Sequence, residues 1–176
     1  MQTTRSFVAD LAHTRIGATF NQYEASPGRR GRLRDYLDTR ASARWLLVGE
    51  AAGYRGARVS GLPFTSERQL SGGGPGEATA TIVHRVLAEL GAESEVLLWN
   101  LVPTHPHARG DPASNRRPTR GEIEAAYPFL QHLARGRRVV PIGRLAHAEL
   151  GGAYIRHPSH GGASDFRAAL IQLLRG

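Results

Sequence analysis

The run Trp45-Leu46-Leu47-Val48, followed without a break by Gly49-Glu50-Ala51-Ala52-Gly53-Tyr54-Arg55-Gly56, constrains the fold more than any other stretch. Consecutive apolar residues with no polar alternation mark a strand buried on both faces, the kind found in parallel sheets covered by helices. The first charged residue after this strand is Glu50, at the start of a turn whose glycines, Gly53 and Gly56, leave room for a ligand to approach the backbone. In open α/β sheets, ligands bind in the crevice outside the carboxyl ends of the strands. A carboxylate there is a candidate for chemistry. The competing reading is a loop cap that accepts nearby backbone N–H groups.

The same grammar recurs along the chain. Glu95–Asn100 is a second apolar run ending on a polar residue, Arg138–Gly143 a third with a proline that suits an edge, and Ala153–Arg156 a short fourth. Between them, Glu77–Leu90 carries Ala80, Val83, Val86, Leu87 and Leu90 at helical spacing. Thr119-Arg120-Gly121-Glu122 is a capping box that starts a helix running to about Arg135, which Pro128 is expected to kink or split. A last helix, Ala163–Leu174, offers Phe166, Leu170, Leu173 and Leu174 to the core. Residues 1–42 read as an N-terminal helical segment broken at Pro27-Gly28, with Arg29, Arg30, Arg32 and Arg34 as a solvated helix start. The alternation predicts an α/β fold: a three-layer α/β/α single domain over 1–176 with a short, about four-stranded, mainly parallel central sheet. Right-handed crossovers place every strand's carboxyl end on one side, so Glu50, Asn100 and His157 should meet at one cleft.

Composition narrows the partners. The 176 residues carry a formal charge of +8, and every basic residue other than histidine is arginine. That balance favours a polyanion. Cysteine is absent, which excludes disulfides and iron–sulfur clusters, and no apolar run approaches the roughly 18 residues of a membrane span. A cytoplasmic location is the default expectation. In the long loop Leu101–Arg117, His105, His107 and Asp111 form His-x-His-x3-Asp, which leaves a metal-dependent phosphoesterase open as an alternative.

Three closing segments, Gly49-Glu50-Ala51-Ala52-Gly53, Trp99-Asn100-Leu101-Val102-Pro103 and His157-Pro158-Ser159, resemble the motifs of the uracil-DNA glycosylase superfamily. The likeness extends to Gly61-Leu62-Pro63-Phe64 and to Asn115–Ile123, and so covers about Trp45 to Leu174. It is nearest to the bacterial branch with a Gly-Glu-Ala-Pro-Gly first motif, although Ala52 replaces the proline and the iron–sulfur cysteines of that branch are missing. The resemblance implies that Glu50 stabilises the sugar cation and orients or deprotonates the water, and that His157 donates to uracil O2 as the base leaves. It implies that Asn100 reads the base edge and that Phe64 stacks on the base, beside Gly49, Ala51 and Gly53. Without it, Asn100 could be a turn former, Phe64 core, and His157 a partner for a backbone carbonyl.

Gly161-Gly162 ahead of the last helix, with Ser159 and His160, form a candidate phosphate seat. Arg55, Arg58, Arg68, Arg116 and Arg117 are candidate phosphate contacts. The expected protein is a monomeric, cofactor-free glycosylase acting on DNA that contains uracil or another deaminated base. It would be monofunctional, because no lysine exists to form a Schiff base with the sugar. A protein that binds such DNA without cutting it remains the non-enzymatic alternative.

Overall fold

A computed structural model describes residues 2–175. The apolar run at Trp45 forms the central strand β1, Trp45–Ala51, between β2, Val96–Val102, and β3, Arg138–Pro141, in the order β2-β1-β3 with both pairings parallel. β1 is longer than its apolar run. Ala51 still pairs with Val102, and the Ala52 N–H donates to the Val102 carbonyl at 3.2 Å. Glu50 therefore sits on the strand and not, as expected, on the turn that follows.

The fourth strand is reduced to a single bridge between Ile142 and Ile155. The ladder cannot spread on either side. β3 stops at Pro141, which has no N–H, the chain turns at Gly143 with φ +87°, and Gly151 and Gly152 precede Ile155 in left-handed conformations.

Helices cover both faces of the sheet. The helices α1, Thr4–His13, α2, Pro27–Thr39, α6, Arg120–Ala134, and α7, Arg144–Leu150, pack on the face formed by Leu46, Val48, Leu97, Trp99 and Leu101. The helices α5, Ala78–Glu89, and α8, Ala163–Arg175, pack on the face formed by Trp45, Leu47, Val96, Leu98 and Val140. Two short helices, α3, Ala57–Ser60, and α4, Glu67–Ser71, lie between β1 and α5. Among the described residues no helix is long and apolar enough to cross a membrane.

Pro128 does not split α6. It lies on the exposed side of the helix, as does Glu124, whose carbonyl is the one a residue at 128 would otherwise bond, so water can serve that carbonyl. The arginines of α2 are also not merely solvated. The Arg29 Nε–H donates to the Val59 carbonyl at 2.8 Å, Arg30 to Tyr23 at 2.6 Å, and Arg32 both to Ser60 and, through both terminal nitrogens, to Glu67.

One buried ion pair ties three separate stretches together. Glu122, whose side chain is 3% exposed, takes both terminal nitrogens of Arg116 at 2.6 and 2.8 Å, and accepts the N–H of Thr119 at 2.9 Å and of Ala18 at 3.3 Å. Gly17 is left-handed, with φ +55°, and a side chain there would overlap the Glu122 stem. Burial opposes ionisation of Glu122, yet Arg116 and the backbone N–H groups outweigh it and hold the carboxyl down at about 2.

A carboxylate depressed in the fold stabilises fully above its ordinary value of 4.5 and loses that contribution as pH falls toward about 2. Removing one partner of a buried pair costs about 3 kcal/mol or more. Arg116→Ala is accordingly expected to lower the urea midpoint at neutral pH and to weaken the decline in stability between pH 4.5 and about 2. A variant as stable as the parent at neutral pH would refute this account of the pair.

Candidate active site

The site begins with an absence of side chain. Gly49 on β1 is in register with Asn100 on β2, and a Cβ at Gly49 would overlap the Phe64 ring and come within 2.9 Å of Asn100 Oδ1. Glycine is what allows the aromatic ring and the amide to share that space. Asn100 is only 4% exposed, so its amide presents directed donors and acceptors away from bulk water.

Phe64 holds its ring there at the expense of backbone strain, with φ +51°. A non-glycine residue in that region costs on the order of 1–3 kcal/mol and persists only where its surroundings over-determine it. They do so here. Ser60, fully buried, donates its hydroxyl to the Thr65 carbonyl at 2.6 Å and receives the Leu62 N–H at 3.0 Å. The Thr65 hydroxyl donates to Pro63, which leaves its lone pairs for the ring N–H of His84 at 2.9 Å. From outside, the Tyr23 hydroxyl donates to Gly61, joining the Arg29 and Arg32 bonds to Val59 and Ser60. The N-terminal segment is thus the outer brace of the aromatic loop, a role that its polar, arginine-rich sequence did not suggest.

The end of β1 is held just as firmly. Ala52 donates its N–H to Val102, and its carbonyl accepts the Nδ1–H of His105, which is fully buried, at 2.8 Å. Burial, offset in part by that backbone bond, lowers the His105 pKa and keeps its ring neutral. Tyr54, two residues on, donates its N–H to Asn115 at 2.9 Å.

His157 has a defined tautomer. The Ser159 N–H donates to its Nδ1 at 3.2 Å, so the proton of the neutral ring is on Nε2. The Ser159 hydroxyl, 2.7 Å from the same nitrogen, also donates to it and in turn accepts from His160 Nδ1 at 3.0 Å. Burial, then the neighbouring His160, holds the His157 pKa below the usual histidine range. The ring lies 6.4 Å from the Phe64 ring, at 36° to it.

Glu50, Gly53, Phe64, Asn100 and His157, with Glu77, line one cavity of about 80 Å³. It adjoins an open cleft of about 1050 Å³, which Arg117, Arg144, Arg156, Ser159 and His160 also border. Burial pushes the Glu50 carboxyl up from its ordinary value, while Arg117 pulls it back down. Glu77 is pushed up by burial alone.

The remaining expected DNA contacts are spread more widely. Arg116 borders the cleft, but its guanidinium is taken by Glu122. Arg55, Arg58 and Arg68 line a separate groove of about 590 Å³, where the Arg58 guanidinium lies between the rings of Phe20 and Tyr54 at 5.2 and 5.0 Å. Gly161 and Gly162 do not line the cleft, and the Gly162 N–H already donates to Ser159. Among the described residues no three His, Cys, Asp or Glu side chains come together as a metal group. In the long loop, His105 and His107 direct their Nδ1 atoms at the Ala52 and Ala108 carbonyls, and Asp111 accepts the Ala113 N–H.

Comparison with known proteins gives the site its context. No curated protein matches the chain. Among solved structures it is similar to the crystal structure of wild-type Pedobacter heparinus SMUG2, with 13% identity, complete coverage of both chains and a TM-score of 0.67. At that identity the likeness is one of fold. A family model of the uracil DNA glycosylase superfamily matches residues 37–172, from the end of α2 into α8. The chain belongs to that superfamily of DNA-acting glycosylase hydrolases.

Proposed function

We propose that this protein removes uracil from DNA by hydrolysing its N-glycosidic bond, leaving an abasic site, with the base extruded into the small cavity. The observation that carries this reading is the grouping of an Nε2–H imidazole, a buried amide, an aromatic ring and a partly buried carboxylate around one cavity. Extrusion follows from reach: the reacting bond cannot enter such a cavity while the base stays stacked in a duplex.

Each group has one task. The Asn100 amide pairs with the N3–H and O4 of uracil, whereas cytosine presents the opposite polarity at both atoms and would leave buried groups unpaired. Phe64 stacks on the ring, an interaction worth about 1–3 kcal/mol. As the C1′–N1 bond breaks, negative charge gathers on the base and His157 Nε2–H donates to O2, needing no charge of its own. Glu50, ionised, faces the positive sugar and takes the proton of the water whose oxygen bonds to C1′. The departing base anion is protonated on release. Arg117 and Arg144 border the cleft and suit phosphate contacts.

At Ala52, where related motifs carry proline, the backbone keeps its N–H. That N–H extends the β1–β2 ladder to Val102, a bond that proline could not make, so the strand end that carries Glu50 is fixed by a hydrogen bond in place of a ring.

With a uracil-containing oligonucleotide, wild-type protein is expected to leave alkali-labile sites, and borohydride to trap no adduct through a lysine. Glu50→Gln and His157→Ala should each slow single-turnover cleavage by about 100- to 1000-fold. Binding without strand scission after alkali would overturn the reading in favour of a non-cutting binder, and near-wild-type rates in either variant would remove that residue from the mechanism.

The pH profile follows from the two shifts. Glu50 must be ionised and its carboxyl is raised, so activity should fall with acidity through an apparent value above 4.5. His157 must be neutral and is shifted below 6.5, so its protonation should add no second limb near 6.5. A single-turnover profile of slope two centred near 6.5 would contradict this assignment.

A further inference from the structure

We infer that Glu77 forms the wall of the pocket facing C5 of the base, and that its carboxyl is what discriminates uracil from 5-substituted uracils such as thymine. This rests on the reading of the small cavity as the uracil pocket.

Glu77 has no structural employment. It stands at the N-terminal boundary of α5, yet its side chain makes no capping hydrogen bond. Among the described residues no ion pair and no hydrogen bond engages its carboxyl, although it is partly buried. What it touches is the turn after Glu50. A Cβ at Gly53 would lie 2.6 Å from Glu77 Oε1, and one at Gly56 would overlap Oε2. Both glycines of that turn are therefore occupied from across the pocket by one carboxyl, which fills the room that a side chain at residue 53 would take.

The perimeter of the base gives Glu77 its target. With O2 on His157, N3–H and O4 on Asn100, and N1 leading out past Glu50 to the sugar, only the C5–C6 edge is unassigned. The unassigned lining of the cavity is Ala51, Gly53, Ala57, Thr79 and Glu77. Of these, Glu77 alone is both long and polar. A methyl at C5 would have to displace its carboxyl or bury itself against it, and neither a clash nor an unpaired polar contact is recovered elsewhere.

The test measures a ratio, thymine against uracil, on two sets of oligonucleotides. One set carries a single uracil or thymine opposite guanine and reads cleavage. The other carries the uncleavable 2′-fluoroarabino nucleoside of each base and reads affinity, with no chemistry required. Glu77→Ala is expected to raise the thymine-to-uracil ratio by about 10-fold or more in both sets, the effect of relieving one excluded methyl. Glu77→Gln, which keeps the shape and polarity of the wall, should retain the wild-type ratio. If Glu77→Ala fails to fold, Glu77→Asp, shorter by one methylene, should raise the ratio by a smaller amount. An unchanged ratio in a folded Glu77→Ala or Glu77→Asp variant overturns the inference. Failure of the wild type to cleave uracil would instead strike the glycosylase reading, with the affinity ratio still reporting on Glu77.

Discussion

The site depends on the close approach that Gly49 permits. Parallel pairing fixes Gly49 beside Asn100, and the missing side chain admits the Phe64 ring between the sheet and the cavity. Any side chain at 49 would force out either the ring or the amide. The register runs from Trp45 against Val96 onward, and a slip would exchange Trp45 and Leu47 with Leu46 and Val48 between the two helix-covered faces and move Gly49 off Asn100. The position of the pocket is thus inherited from the hydrophobic register of β1 and β2.

What surrounds that approach is held by hydrogen bonds from distant sequence. Phe20 and His105 exchange backbone N–H···O bonds of 2.9 Å, Gln22 donates to Pro103 at 2.8 Å, and the Thr19 and Thr104 hydroxyls meet at 2.6 Å. These bonds lash the linker between α1 and α2 to the loop after β2, and the Glu122–Arg116 pair fastens the same linker to the start of α6. His105 passes that order on to Ala52 and the end of β1. The residue that looked like a loop metal ligand is a buried brace. The N-terminal segment, outside most of the family match, supplies half of this scaffolding.

The fold was legible wherever burial imposes a period. The unbroken apolar run of β1, the one-faced apolar pattern of α5 and the Thr119–Glu122 capping box each state their structure locally. The crossover rule then predicts that Glu50, Asn100 and His157 meet, and all three line one cavity. What could not be read depended on partners far along the chain. Whether β1 ends at Val48 or Ala51 is decided by Val102, and whether Ala153–Arg156 becomes a strand is decided by Pro141 and Gly143. Arg29 and Arg32 look solvated until Val59, Ser60 and Glu67 are brought against them. Glu77 looks like an ordinary residue before a helix until its carboxyl is found on Gly53 and Gly56.

Strain falls where function is proposed. Among the described residues, Phe64 and His160 are the non-glycine positions with positive φ, each at +51°. They belong to different loops but meet the same site, one as the ring beside Gly49 in the cavity wall and the other as the donor to Ser159, whose hydroxyl donates to His157 Nδ1. Each costs on the order of 1–3 kcal/mol, and a loop free to relax would shed that strain. Neither loop is free. Phe64 is enclosed by the Ser60 and Thr65 bonds, and the His160 carbonyl accepts from Arg156, which is itself anchored on Asp165 of α8. Strain maintained by such anchoring means that the ring and the imidazole are placed by folding, and in the proposed glycosylase the ordering would be in place before a base arrives.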